Sequence, residues 1–283
     1  ILIVPDRTKA VKKKFIHRSA KKQSYNTFVL IEDACPFYYP GNQIACMLVH
    51  GFTSSPREMS LLGEFLATQG FTVLAIRLFA HGTRYQDMPR ARWQDWIANI
   101  EDGWHILNGE NRPLIVIGFS LGGSLALYFA AHFPVKAVIA IAAPHHLPKD
   151  PRLPFLKIIS LFSPYLYSSK PPLWFDHSQR HRHIRYPNDS TRALAEVHTF
   201  LVHLQGALPK IKVPTLLIYS KNDPTITVAE QHMEKIAAAI QSPLKETLVL
   251  ENSGHILPLD AQRGLVNEAC LEFIKRVTAQ NES

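Results

Sequence analysis

The chain runs to 283 residues, 46% of them hydrophobic and 19% charged, with a formal net charge of +8. That balance allows one large folded domain with a sizeable core and excludes a disordered or fibrous chain. There is no internal repeat, no apolar run long enough to cross a bilayer, and with three cysteines no disulfide framework.

The charge sits at one end. Residues 1–22 hold eight basic residues (Arg7, Lys9, Lys12, Lys13, Lys14, Arg18, Lys21 and Lys22) against one acid, Asp6, so a basic stretch is attached to a nearly neutral globule. We read residues 1–25 as a basic N-terminal arm, either solvated or resting on an anionic membrane surface. Its apolar start, Ile1-Leu2-Ile3-Val4, is too short to be an anchor or signal segment by itself and fits the end of one.

Beyond the arm, Thr27 to Ile31 reads as a short strand. The turn Tyr39-Pro40-Gly41-Asn42 then leads into a second strand, Ile44 to Val49, which ends in His50-Gly51-Phe52-Thr53-Ser54-Ser55-Pro56. Cys35 and Cys46 straddle that hairpin-like turn and are candidates to pair, although reduced thiols are the expectation for a cytoplasmic protein. Pro56 to Gly70 has the signals of a helix closed by glycine, with Met59, Leu62, Phe65 and Leu66 on one side. Phe71 to Leu78 is a further strand, and His81 in the loop Ala80-His81-Gly82 reads as a residue that holds its loop rather than a catalytic one. Trp93, Trp96, Ile97, Ile100, Trp104 and Leu107 step at helical spacing and read as packing against a sheet.

Leu114 to Ile117 is a continuous apolar run of mostly β-branched residues, the mark of a buried parallel strand. It enters Gly118-Phe119-Ser120-Leu121-Gly122-Gly123, and a helical pattern follows from Leu121 to Phe133. Strand, G-x-S-x-G and helix in that order fit a nucleophile elbow, a turn so sharp that the serine stands above the sheet on strained backbone. Gly118 and Gly122 flank the serine where strand and helix crowd together and a Cβ would collide.

Val135 to Ala143 continues the alternation of strand and helix, which implies a mostly parallel sheet wrapped on both faces. Between His145 and Leu208 the rhythm breaks: no clear strand occurs, seven prolines do, and half of the 14 histidines fall here. Leu153 to Phe162 and Leu194 to Leu204 read as short amphipathic helices, and Tyr165, Tyr167, Leu173, Trp174 and Phe175 as exposed apolar bulk. We therefore expect a cap over residues 147–207, inserted into a core made of 26–146 and 208–283, that roofs the site and excludes water. His181-Arg182-His183 lacks a carboxylate cluster and reads as solvated surface rather than a metal site. Cys270 lies on an apolar helical face with Leu265, Val266, Ala269, Phe273 and Ile274, and reads as buried packing.

The sheet resumes at Val213 to Tyr219 and runs into Ser220-Lys221-Asn222-Asp223-Pro224. After a helix over Val228 to Ile240, the strand Glu246 to Leu250 ends at Asn252-Ser253-Gly254-His255. A serine hydroxyl is a weak nucleophile at neutral pH, so an imidazole must remove its proton, and a carboxylate must fix the imidazole's tautomer. Ser120, His255 and Asp223 supply these groups, each at or just beyond a strand's C-terminal end. Asp260, five residues past His255, is too near along the chain to reach the far imidazole nitrogen. Acyl transfer also builds negative charge on the carbonyl oxygen, which calls for two preset N–H donors, and the backbone N–H groups of Phe52 and Leu121 lie in the right loops.

These segments resemble the α/β-hydrolase superfamily and, more narrowly, bacterial carboxylesterases related to monoacylglycerol lipases. The matching pieces are His50-Gly51-Phe52-Thr53-Ser54, Gly118-Phe119-Ser120-Leu121-Gly122-Gly123, Lys221-Asn222-Asp223, and Ser253-Gly254-His255 with Asp260 downstream. The resemblance spans about Ile44 to Val277, weakly across the cap. It implies Ser120 as nucleophile, His255 as base, Asp223 as its partner, and an oxyanion hole at Phe52 and Leu121. The group often carries Gly-His-Gly where this chain has Ala80-His81-Gly82, and the basic arm is foreign to its pattern. The expected activity is a serine hydrolase of carboxylic esters with medium acyl chains or monoacylglycerol-like form. No metal or organic cofactor and no nucleic-acid partner are expected. The alternatives are thioester, amide or carbon–carbon hydrolysis with the same three residues, and a non-catalytic lipid-ligand binder on this fold. Dehalogenase and epoxide hydrolase relatives carry an aspartate where Ser120 stands.

Overall fold

The computed structural model describes residues 30–108, 112–167, 172–226 and 229–279. In chain order the elements are β1 (Phe37–Tyr39), β2 (Ala45–Val49), α1 (Ser60–Thr68), β3 (Thr72–Ile76), α2 (Trp93–Asn108), β4 (Leu114–Phe119), α3 (Leu121–Ala130) and β5 (Ala137–Ile141). An insertion follows with α4 (Leu156–Ile159), β6 (Tyr165–Tyr167), β7 (Asn188–Ser190) and α5 (Thr191–Ala207). The chain closes with β8 (Thr215–Ser220), α6 (Ala229–Ala239), β9 (Lys245–Leu250) and α7 (Arg263–Ala279).

Among the described residues, seven strands form one sheet in the order β1-β3-β2-β4-β5-β8-β9, parallel except for β1. The strands β2, β4, β5 and β8 bury every residue because helices cover both faces, which is why they read as unbroken apolar runs. From β2 the chain first builds outward through β3, then returns to place β4 on the other side. The strand order reverses there, and the loops leaving β2 and β4 part to open a crevice at their carboxyl ends. The tryptophan stripe of α2 packs as expected, with Trp93, Trp96, Ile100 and Leu107 buried.

Several expectations change. The strand foreseen over Thr27 to Ile31 lies mostly outside the described residues and the basic arm lies wholly outside them; Leu30 and Ile31 carry no strand. The first strand is β1, whose three residues pair with β3 rather than with β2. With β3 between them, β1 and β2 form no hairpin; Cys46 is fully buried in β2, Cys35 is exposed, and both are free thiols. Cys270 is buried as foreseen.

The insertion differs most. Its first helix shrinks to a 3-10 turn, Leu153–Phe155, and the single turn α4, ahead of Pro164, whose ring disfavours helical backbone at the residue before it. An unforeseen antiparallel ribbon pairs β6 with β7 within it. The second helix, α5, is longer than expected, capped by the Ser190 hydroxyl, which accepts the Ala193 N–H at 3.2 Å. It lies on the core through Phe200, 5.6 Å from Tyr128 and 5.8 Å from Trp93 between ring centres. Trp174 is buried, against expectation, whereas Leu173 and Phe175 are exposed.

Among the described residues, no helix is long and apolar enough to cross a membrane.

Candidate active site

Strand β4 delivers Ser120 at its carboxyl end on backbone with φ 53° and ψ −122°, a conformation that costs a non-glycine residue about 1–3 kcal/mol. The surroundings over-determine it. The Ser120 N–H donates to the Ile141 carbonyl of β5 at 2.8 Å, and the Ser120 carbonyl accepts the N–H groups of Gly123 and Ser124. The two flanking glycines are forced by close approach: a Cβ on Gly118 would stand 2.0 Å from the Gly122 carbonyl oxygen, and one on Gly122 would stand 2.2 Å from that of Val49. Helix α3 therefore starts directly at the serine and touches β2. Its amino end faces the space above Ser120, where the helix dipole favours negative charge.

Two other strand ends meet this serine. The loop after β9 carries His255, whose Nε2 lies 3.0 Å from Ser120 Oγ. The loop after β8 carries Asp223, whose Oδ2 accepts from His255 Nδ1 at 2.6 Å. An ionised carboxylate only accepts, so the proton sits on Nδ1 and leaves the Nε2 lone pair facing the hydroxyl. Burial opposes the charge on Asp223, but the imidazole and the backbone N–H groups of Ile226 and Thr225 outweigh it and hold the carboxyl below its ordinary value. The residues proposed from three distant stretches of sequence are thus brought into one hydrogen-bonded chain.

Asp260 is a separate hub. Wholly buried, it accepts the Gly254 N–H at 2.6 Å with Oδ2 and the N–H groups of Phe175, Asp176 and Ala261 with Oδ1. It fixes the loop that carries His255 and ties that loop to the insertion, without touching the imidazole's far nitrogen.

A cavity of about 470 Å³ opens over Ser120 and His255. Phe52 and Leu121 line it beside the serine, with Phe119, Leu147, Leu194 and Ile226 adding apolar wall. It reaches the surface at Pro148, Lys149, Thr225 and Gln231, which are exposed. His50 and His81 stand beneath the loop after β2 rather than in the cavity. His50 Nδ1–H donates to the Gly51 carbonyl, and its Nε2 accepts the Leu78 N–H, so the ring is a neutral strut. Burial pushes its pKa down to about 4. His81 is equally buried, its Nδ1–H donating to the Phe79 carbonyl and its ring 6.1 Å from that of Phe52.

Two residues of this neighbourhood escaped the sequence. Glu58, in the 3-10 turn Pro56–Met59, is fully buried with its Oε1 accepting the Gly51 N–H. Its Oε2 lies 3.2 Å from Nδ1 of His183, which the insertion supplies. The solvated surface expected of His181-Arg182-His183 holds only for His181; Arg182 reaches Ser60 and Glu64, and His183 is packed inside. Among the described residues no group of three metal-type ligands is assembled.

Comparison with known proteins agrees with this architecture. The profile of the alpha/beta hydrolase family matches residues 46–269. The chain is 28% identical over 256 residues to the thermostable monoacylglycerol lipase of Bacillus sp. (strain H-257), covering 88% of this chain and 97% of that protein. It is 25% identical over 244 residues to the carboxylesterase of Bacillus subtilis (strain 168), covering 86% and 96%. A solved structure described with LipS and LipT, two metagenome-derived lipolytic enzymes, superposes with a TM-score of 0.76 at 30% identity, over 88% of this chain and all of that one.

Proposed function

The chain belongs to the alpha/beta hydrolase family, and from that premise we propose that it is a serine hydrolase of carboxylic esters, with Ser120 as nucleophile, His255 as general base and acid, and Asp223 as the group that orients it. The single observation that carries the reading is the continuous relay from Asp223 through His255 to the Ser120 hydroxyl at the floor of a cavity. Ser120 Oγ attacks the ester carbonyl as His255 Nε2 takes its proton. The resulting imidazolium is stabilised by the Asp223 carboxylate. Negative charge gathers on the former carbonyl oxygen, where the N–H groups of Phe52 and Leu121 donate to it; one such donor is worth about 2.7–4 kcal/mol of barrier. Collapse expels the alcohol, which leaves with the proton from His255, and the acyl group stays on Ser120. Water, deprotonated by the same imidazole, then releases the acid and restores the serine.

The apolar wall favours a medium acyl chain or a monoacylglycerol-like ester over a highly charged substrate. Residues 147–207 act as the cap of this reading: they supply Leu147, His183, Arg185 and Leu194 to the cavity and exclude water from it. The names of the two Bacillus relatives point the same way.

The test is Ser120→Ala assayed on p-nitrophenyl esters. Turnover should fall on the order of 10⁶-fold while the melting temperature stays near that of the wild type. Retained turnover removes the assignment. A panel of acyl chain lengths beside thioester and amide controls then decides which bond is preferred.

A further inference from the structure

The loop after β2 is strained and buttressed from outside. Thr53, buried and β-branched, has φ 59°, which such a residue adopts only when its surroundings impose it. The surroundings here are five consecutive residues of the cap. Arg185 Nε donates to Thr53 Oγ1 at 3.1 Å, the Tyr186 N–H donates to the Thr53 carbonyl at 3.0 Å, and Ser54 Oγ donates to the Ile184 carbonyl at 3.2 Å. Arg182 Nη1 donates to Ser60 Oγ at 2.9 Å, and His183 meets the Glu58 carboxylate.

Glu58 is the pivot of this seam. Its side chain is wholly buried, one oxygen holding the Gly51 N–H and the other facing His183. Gly51 immediately precedes Phe52, and a Cβ on it would stand 3.1 Å from Glu58 Oε1 and 3.3 Å from Ser120 Cβ. The carboxylate thus lies one residue along the chain from an N–H assigned to the oxyanion hole. Taking His183 away would leave this buried carboxylate short of one of its partners, which is costly.

We propose that Glu58 is a positioning residue for the oxyanion loop, tying Gly51 to His183 so that the Phe52 N–H keeps its aim only while the cap strip Arg182–Tyr186 is seated. The inference rests on the reading of Phe52 and Ser120 given above. It makes the cap part of the apparatus that stabilises the transition state, in addition to its part in covering the substrate.

The test compares wild type, Glu58→Ala, Glu58→Gln and His183→Ala, with thermal unfolding as the control for folding. Three quantities are read: the rate at which a fluorophosphonate probe labels Ser120, kcat and KM on p-nitrophenyl butyrate, and the inhibition constant of a trifluoromethyl ketone, which forms a tetrahedral adduct on the serine. For Glu58→Ala, kcat should fall about 10²-fold and ketone affinity by the same factor, with KM moving less than about threefold. Glu58→Gln keeps an oxygen for the Gly51 N–H and should recover to within about tenfold of wild type, and His183→Ala should fall between the two. Folded Glu58→Ala protein with wild-type labelling and ketone affinity overturns the proposal, as does a change confined to KM. If Glu58→Ala does not fold, wild-type ketone affinity and labelling in His183→Ala overturn it equally. Turnover that survives Ser120→Ala would overturn the serine-hydrolase reading and this inference with it; turnover that requires Ser120 but ignores Glu58 overturns the inference alone.

Discussion

Strands β2, β4 and β5 hide every side chain they carry, whereas the 153–162 stretch of the insertion leaves Phe155, Ile158, Leu161 and Phe162 more than half exposed. The two regions are secured by different means. The sheet is bound by main-chain ladders and by apolar surface closed on both faces, so it is firmly held where the loops carrying Ser120, Asp223 and His255 spring from it. The insertion is bound by α5, whose Phe200 sits among core aromatics, and by polar contacts to the loops it covers. The first region fixes where Ser120 is. The second shapes what surrounds the serine.

This contrast can be broken in graded steps. The largest effect belongs to the strand ends: Asp223→Asn should lower kcat about 10⁴-fold by presenting the wrong imidazole tautomer, with little change in unfolding temperature. Steady-state kinetics beside thermal melts would check it; a loss under tenfold would mean the relay does not govern turnover. Next comes core packing. Ile139→Ala, at a fully buried site in β5, should cost about 3–4 kcal/mol in urea unfolding.

Acid should act on the same core, through its buried imidazoles. Burial lowers the pKa of His50 from the ordinary 6.5 to about 4, so between those values the unfolded chain takes up a proton that the folded chain refuses. The stability this contributes is complete above about pH 6.5 and drains away as the pH falls toward 4, about 3 kcal/mol in all, and His81, also depressed by burial, adds to it. Unfolding free energies measured from pH 7 down to pH 4 should slope accordingly, and a flat profile would show that neither ring stays neutral. The smallest effect is on the insertion's outer face, where Phe162→Ser, at a side chain 86% exposed, should change stability by less than about 0.5 kcal/mol. A larger loss there would erase the distinction between the two regions.

The same contrast explains what could be read from the amino acids. The elbow was legible because strand, turn and helix are encoded within ten consecutive residues whose glycines have one steric purpose. Asp223 and His255 were legible because each follows an apolar run that ends a strand. Glu58 and His183 were not: they lie 125 residues apart, and a glutamate two residues after a helix-starting proline has the pattern of a solvated first turn. Strand β1 escaped for a related reason, since its three residues become a strand only by lying antiparallel on β3, a partner not adjacent in the sequence. Proline-rich sequence in the insertion hid the β6–β7 ribbon from view, and made Trp174 look like surface. Short-range periodicity reports burial on one's own element; it is silent about burial supplied by a distant loop.

Asp260 has one more implication. Through it the insertion is moored to the segment bearing the imidazole, while the stretch from Arg182 to Tyr186 moors it beside the serine. A roof fastened at both gables does not swing open on a single hinge without loosening one half of the reaction apparatus. If both moorings hold, a substrate reaches Ser120 by passing between Pro148, Lys149, Thr225 and Gln231, the exposed residues of the cavity's lining.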